Sequence, residues 1–189
     1  LIVLSDGVRG TEQVPKFSPG GRLIAFFEAG PDLQTSLNII SPDGAYKKKL
    51  KDSIYYSSNA TLDWSPDGSR IVFQNNLNNS TPISICIIDT AGKNFTVIAQ
   101  GVNPVWSPVS EKICFSTGGD IHMINADGSE EVNLSNTSAD FERDIVWSPD
   151  GTKILYTIQP GSVFLKVFDI STSSASLITE SGIWGRWKK

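Results

Sequence analysis

The stretch Trp64-Ser65-Pro66-Asp67-Gly68-Ser69-Arg70-Ile71-Val72-Phe73 decides the fold. An aromatic residue closes one apolar run, Ser-Pro-Asp-Gly reverses the chain, and a β-branched and aromatic run follows. Proline presets φ to about −65°, Asp bonds the backbone of a turn, and Gly takes positive φ. Val, Ile and Phe then favour a pleated strand. The pattern returns as Trp147-Ser148-Pro149-Asp150-Gly151-Thr152-Lys153-Ile154-Leu155-Tyr156. Degenerate copies begin at Phe17, with Ser18-Pro19-Gly20-Gly21, and at Trp106, with Ser107-Pro108-Val109-Ser110.

The anchors Phe17, Trp64, Trp106, Trp147 and Trp184 recur roughly every 40 residues, a period that suits four short strands per unit. Helical repeats share such periods, but the apolar runs here are short, β-rich and broken by Gly, Pro, Asn and Asp. A second turn fixes the unit. Ile39-Ile40-Ser41-Pro42-Asp43-Gly44 aligns with Met123-Ile124-Asn125-Ala126-Asp127-Gly128, and Ile87 to Gly92 and Val167 to Thr172 fit the same frame. Each unit therefore reads as strand A ending at the aromatic, a turn, strand B, a variable loop, strand C, a turn and strand D. The expectation is an all-β chain, a β-propeller of four-stranded antiparallel blades. Strand B should be buried on both faces. Strand D should be a charged outer edge, as Tyr46-Lys47-Lys48-Lys49-Leu50-Lys51 suggests.

Phasing the ends places Leu1–Leu4 as strand D of a preceding blade and Ile183-Trp184 as the close of a further strand A. The expected content is four complete blades plus partial strands at both ends. The whole of 1–189 is taken as one propeller domain or a segment of a larger ring, with a self-contained ring as the alternative. In the latter case self-association could complete the ring.

Composition excludes several classes. A formal net charge of −4 without a long block of one sign argues against a nucleic-acid surface. No run of 18 apolar residues is present, so no helical membrane span is expected. Cys86 and Cys114 read as buried free thiols, since two cysteines make no disulfide framework. With His122 as the one histidine, they supply no ordinary zinc site. No cofactor or metal is expected. Asp43, Asp67, Asp127 and Asp150 each precede a Gly but lie one to a turn, so they read as turn-bonding groups rather than a calcium loop. Asn59, Asn78, Asn79, Asn94, Asn133 and Asn136 begin N-x-S/T triplets, read first as polar turns and, in a secreted eukaryotic chain, as glycosylation acceptors.

The pairing of W-S-P-D-G-x-x-I-x-F at Trp64–Phe73 and Trp147–Tyr156 with Met123-Ile124-Asn125-Ala126-Asp127-Gly128-Ser129 resembles the propeller repeat of TolB-like proteins. The resemblance covers nearly the whole chain. It implies a propeller that serves as an interaction platform in the periplasm, at the cell surface or in secretions. The same repeat also occurs in the propellers of prolyl-oligopeptidase-like enzymes.

No convergent catalytic set is readable. His122 aligns with Asn38, Cys86 and Lys166, an unspecialised strand-C position, and no G-x-S-x-G elbow occurs. The tryptophans read as packing anchors between blades, with Trp184 and Trp187 the exceptions that could stack a ligand. The long and varied B–C and D–A loops share one face, and variable loops on a rigid scaffold carry binding. The candidate partner-binding residues are Tyr55 and Tyr56 in one D–A loop, Asn76 in a B–C loop, and Phe141, Glu142 and Arg143 in another D–A loop. They are expected to border a central channel and to bind a protein partner without catalysis. Two alternatives stand beside this expectation. One is the substrate-gating propeller of a prolyl-oligopeptidase-like serine peptidase whose catalytic domain lies outside this chain. The other is a carbohydrate-binding propeller.

Overall fold

The computed structural model describes residues 12–30, 35–54, 61–76, 82–137, 142–158 and 164–179. Leu1–Leu4 and Ile183-Trp184, the expected partial strands, lie outside them, as do Trp187 and the triplet asparagines Asn59, Asn78 and Asn79. The chain divides into two compact units, Leu1–Gln100 and Gly101–Lys189. No helix occurs among the described residues.

The first unit holds two antiparallel meanders. One is β1 (Glu12–Phe17), β2 (Ile24–Ala29), β3 (Thr35–Ile40) and β4 (Lys47–Ile54). The other is β5 (Leu62–Trp64), β6 (Arg70–Asn75), β7 (Ser84–Asp89) and β8 (Thr96–Gln100). The second unit repeats the plan with β9 (Val102–Trp106), β10 (Lys112–Thr117), β11 (Asp120–Asn125) and β12 (Val132–Asn133), then β13 (Glu142–Trp147), β14 (Lys153–Ile158), β15 (Phe164–Asp169) and β16 (Ser174–Thr179). The four sheets are the four expected blades, each with its strands in the order A-B-C-D.

Burial follows the sequence pattern. Ile24–Phe27 in β2, Ile71–Asn75 in β6, Ile113–Ser116 in β10 and Ile154–Ile158 in β14 are buried without a break. Strand B is thus covered on both faces. One apolar cluster joins the two blades of the first unit through Phe27, Leu37, Ile39, Trp64, Phe73 and Ile88. A second joins those of the other unit through Ile121, Ile145, Trp147, Tyr156 and Phe168.

Hydrogen bonds explain why the anchor is tryptophan. Trp64 Nε1 donates to the carbonyl of Lys16 on β1 at 2.9 Å. Trp147 Nε1 donates to the carbonyl of Val105 on β9 at 3.2 Å. Both acceptors immediately precede the preceding blade's own anchor, so the indole latches strand A of one blade onto strand A of the blade before it. Lys16 and Asp63 add an ion pair of 2.7 Å across the same seam. Trp106 instead donates within its own turn, to Ser110 O at 3.2 Å.

At the A–B turn, Ser65 N–H donates to Arg70 O and Gly68 N–H to Ser65 O, each at 2.9 Å, with Gly68 at φ 71°. Ser65 Oγ accepts from Arg70 N at 2.9 Å and donates to Asp67 Oδ1 at 2.6 Å. Asp67 also accepts from Ser69 N at 3.0 Å and from Ser69 Oγ at 2.7 Å. Ser148, Asp150 and Thr152 reproduce this arrangement. The serine is the constant part. Ser18, Ser65, Ser107 and Ser148 are all buried, and Ser18 Oγ still accepts from Leu23 N at 3.1 Å where the Asp is missing. Gly151 meets two demands at once: its φ is 67°, and a Cβ there would lie 2.3 Å from Val109 Cγ2 of the neighbouring turn.

One recurrent feature is invisible in the hydrophobic pattern. Strand A carries a bulge three residues before its anchor, with a non-glycine residue in the left-handed region: Val14 at φ 54°, Asn103 at 55° and Asp144 at 55°. Asn and Asp tolerate this conformation, whereas a β-branched Val is strained in it.

Candidate functional site

Within each meander the B–C and D–A connections leave the same end, the expected loop end. Its best-defined part lies in the second unit. Gly118 and Gly119, at φ 63° and 98°, make a two-residue hairpin turn between Thr117 and Asp120. The outer strand of this blade, β12, is only two residues long, pairing with His122 and Met123. Beyond it the edge of β11 must be satisfied otherwise, because a buried N–H without an acceptor is costly.

Side chains take over. Ile121 N–H donates to Ser135 Oγ and to Glu142 Oε2, both at 3.0 Å. Asp120 Oδ1 accepts from Thr137 N at 3.0 Å and from Thr137 Oγ1 at 3.1 Å, and Oδ2 accepts from Asn133 Nδ2 at 2.7 Å. Asn133 Oδ1 in turn accepts from Ser135 N at 3.1 Å and Asn136 N at 2.9 Å. Glu142 also uses its backbone: its N–H donates to Gly119 O at 2.9 Å, and its carbonyl accepts from Ser116 Oγ at 3.1 Å. Asn133, an N-x-S/T asparagine, therefore spends both ends of its amide within the fold.

The two carboxylates are driven apart. Desolvation, the largest influence on Glu142, pushes its carboxyl up, and the charge of Asp120 adds to this against hydrogen bonds from Ser135 and Ile121. Desolvation also raises Asp120, but hydrogen bonds from Asn133 and Thr137 outweigh it and hold that carboxyl below its ordinary value. His122 stands beside them, its Nδ1 2.8 Å from Glu131 Oε1 and its ring 5.7 Å from that of Phe115. Its side chain is 18% exposed and lies opposite Phe115, as Asn38, Cys86 and Lys166 lie opposite Phe26, Phe73 and Tyr156.

Of the sequence-predicted partner residues, Tyr55, Tyr56 and Phe141 lie outside the described residues. Arg143 is exposed near the start of β13, and its carbonyl accepts from Thr157 Oγ1 at 3.3 Å. Asn76 is half-buried, with an enclosed Oδ1 that has no hydrogen-bond partner. Glu142 needs a correction: it is only 2% exposed, and its carboxylate is consumed inside the fold, so it presents no charge to a partner. It falls at the first position of a strand whose start is covered by the neighbouring blade, which a two-residue periodicity does not reveal.

The lysine run of β4 is occupied locally. Lys47 pairs with Glu28 at 2.5 Å and Lys49 with Asp52 at 2.7 Å. Lys48 donates to the carbonyl of Ala91 at 2.9 Å, and Lys51 lies 5.2 Å over the ring of Phe95. Both cysteines are free and buried. Burial pushes Cys86 up to about 12 and Cys114 well above its ordinary value, so neither is a poised thiolate. Among the described residues, no three His, Cys, Asp or Glu side chains converge on a metal-sized site.

Four-stranded antiparallel meanders, two of them opened by Ser-Pro-Asp-Gly turns and latched by a strand-A tryptophan, are the blades of a β-propeller fold that solved TolB structures share. A putative TolB from Agrobacterium tumefaciens matches with a TM-score of 0.73 and 18% sequence identity, over 90% of this chain and 66% of that one. TolB from Acinetobacter baumannii matches with a TM-score of 0.70 and 16% identity, over 92% of this chain and 44% of that one. A puromycin-hydrolyzing peptidase of Mycobacterium tuberculosis matches with a TM-score of 0.68 and 14% identity, over 88% of this chain and 31% of that one. The chain thus spans 44% to 66% of the length of the two TolB structures. No family model and no curated protein matches the sequence.

Proposed function

We propose that this chain is a non-catalytic interaction platform of TolB-like propeller type, which binds a protein partner through the loops at its B–C and D–A ends. The observation that carries this reading is the saturation of its best-placed ionisable groups. Asp120 and Glu142 resemble an acid–base pair in their opposed shifts, yet their oxygens are engaged by Asn133, Ser135, Thr137 and Ile121. A carboxylate whose acceptor sites are filled by its own fold is a fastener, not a base for a substrate proton. The stretch from Asn133 to Thr137 is thereby tied to β11, and a tied segment binds at a lower entropic cost. The TolB resemblance supports the partner being a protein and the setting being periplasmic, cell-surface or secreted. No helix among the described residues is long and apolar enough to cross a membrane.

The test uses the loop residues Tyr55, Tyr56, Phe141 and Arg143. A partner is captured from the envelope or secreted fraction of the native source, purified, and titrated against wild type and the quadruple alanine variant. A dissociation constant raised tenfold or more supports the loop face, and an unchanged constant overturns it. The structural likeness to a peptidase favours a second reading, a gating propeller beside a hydrolase domain. A G-x-S-x-G elbow in the flanking coding sequence would favour that reading over the first.

A further inference from the structure

Two hydroxyls at the loop end of the third blade each serve two carboxylates. Thr137 Oγ1 lies 3.1 Å from Asp120 Oδ1 and 3.5 Å from Glu142 Oε1. Ser135 Oγ lies 3.5 Å from Asp120 Oδ1 and is also a hydrogen-bond partner of Glu142. A hydroxyl has one proton, so what it donates to one carboxylate it withholds from the other. Asp120 has further donors in Thr137 N–H and Asn133 Nδ2. Glu142 has the Ile121 N–H on Oε2, and at 2% exposure it meets little solvent.

A proton on Glu142 Oε1 reverses the demand. The carboxyl then donates to Thr137 Oγ1, the Thr137 hydroxyl donates to Asp120, and the repulsion between two neighbouring anions is gone. Asp120 faces Glu142 from the hairpin and raises it, and Lys166 of β15 opposes this. Ser116 of β10 and Ile158 of β14, which pair with the Glu142 backbone, carry no charge. On β13 itself, Arg143 is exposed and Asp144 accepts from Thr157 Oγ1 at 2.7 Å. His122 adds a charge beside Asp120 only when protonated, and Glu131 faces it at 2.8 Å.

We propose that Asp120, Thr137 and Glu142 form a proton-held clasp, which ties the Asn133–Thr137 segment to β11 in acid and slackens it as Glu142 ionises. The clasp regulates the loop end that the platform reading assigns to binding, and rests on that reading for its purpose. The sign follows from the proton. Closed, the clasp holds Glu142 above its ordinary 4.5; released into water, the carboxyl returns to that value. Closure is therefore favoured in full below 4.5 and loses that support as pH rises through the closed-state value. Asp120, held below its ordinary 3.8, stays an ionised acceptor throughout that window.

Amide hydrogen exchange of the full chain, corrected for the intrinsic pH dependence of exchange, tests this from about pH 4 to about pH 8. Protection at Ile121 and Thr137 should fall severalfold across that range, while the amides of β14 stay level. Glu142→Gln, whose amide nitrogen can donate to Thr137 as the protonated carboxyl does, should hold protection high at every pH. His122→Gln should leave the wild-type slope in place. Flat protection in wild type overturns the proposal, and so does a slope that survives Glu142→Gln or is lost with His122→Gln. The carbon-13 shift of the Glu142 carboxyl gives a second reading on wild type alone. Its midpoint should lie above 4.5, and a midpoint at or below 4.5 overturns the clasp. Neither readout involves the partner titration, so the clasp and the platform can fail separately.

Discussion

The first and third blades are the same meander finished in two ways. In the first, β4 runs for eight residues and covers β3, which is buried at every position. In the third, β12 runs for two residues, and β11 is buried only at Ile121 and Ile124. Backbone ladder secures one outer edge and side chains secure the other. Where the ladder stops, Asp120, Asn133, Ser135, Thr137 and Glu142 supply the missing partners. A blade can thus trade strand length for a hydrogen-bonded network, and the shortened strand frees the chain after Asn133 to become a loop.

Four measurements would break or sharpen that contrast. The largest effect should come from the latches that both arrangements share. Trp64→Ala and Trp147→Ala should each cost about 3–5 kcal/mol of unfolding free energy in denaturant titrations. Equal losses would show that the seam, not the outer edge, dominates each blade pair. A Trp147→Ala protein that melts like wild type would refute the strand register of the fourth blade.

Next in size is the network itself. Ser135→Ala with Thr137→Val should cost about 1–3 kcal/mol by stripping hydroxyl partners from Asp120, Glu142 and the Ile121 N–H, and should speed hydrogen exchange at Ile121. Lys49→Ala on the exposed face of β4 should change stability by no more than about 0.5 kcal/mol. If the two perturbations prove equal, the network is no substitute for a strand.

The pH dependence separates the two kinds of carboxylate. Glu142 has its pKa raised on folding, so its contribution is fully present below its unfolded pKa and is lost as pH rises through the folded value. Glu142→Gln should remove that decline and leave a flatter profile above the ordinary carboxyl value of 4.5. Asp67 runs the other way. Its hydroxyl and backbone partners lower it from 3.8 to about 2, so its stabilisation holds above 3.8 and fades as pH falls toward 2. Asp67→Asn should lower stability at neutral pH by an amount that shrinks as pH falls toward 2, leaving a flatter acid limb than wild type. A calcium-dependent melting shift lost in this variant would contradict the turn role assigned to Asp67.

The smallest expected effect is a gain. Val14 occupies the bulge position that Asn103 and Asp144 fill elsewhere. Val14→Asn should stabilise the first blade by about 1 kcal/mol, measured as a shift in denaturant midpoint.

Much of this was legible in the chain. Trp64, Trp147 and their turns announced the repeat, and the β-branched B strands announced a doubly covered layer, because both signals are local in sequence. The bulges were not legible: Val14, Asn103 and Asp144 share a conformation but no residue type. Nor was the fastening of β11, because Asp120 and Glu142 are brought together only when one blade's first strand meets another's hairpin. Glu142 was accordingly expected at the loop surface and is found beneath it. Arg143 is exposed as expected, and Asn76 is half-enclosed.

The Ser-Pro-Asp-Gly turn has a chemical consequence. An aspartate followed by glycine is ordinarily prone to age, as the glycine nitrogen attacks the carboxyl carbon to form a succinimide that reopens to isoaspartate. Attack requires a protonated carboxyl and a freely rotating nitrogen. At Asp67 and Asp150 the carboxyls are drawn down to about 2 and stay ionised at neutral pH. The N–H groups of Gly68 and Gly151 are pinned to Ser65 O and Ser148 O, each at 2.9 Å. The same hydroxyl that closes the hairpin should therefore slow its chemical ageing, and isoaspartate should accumulate at these sites only after the turns open.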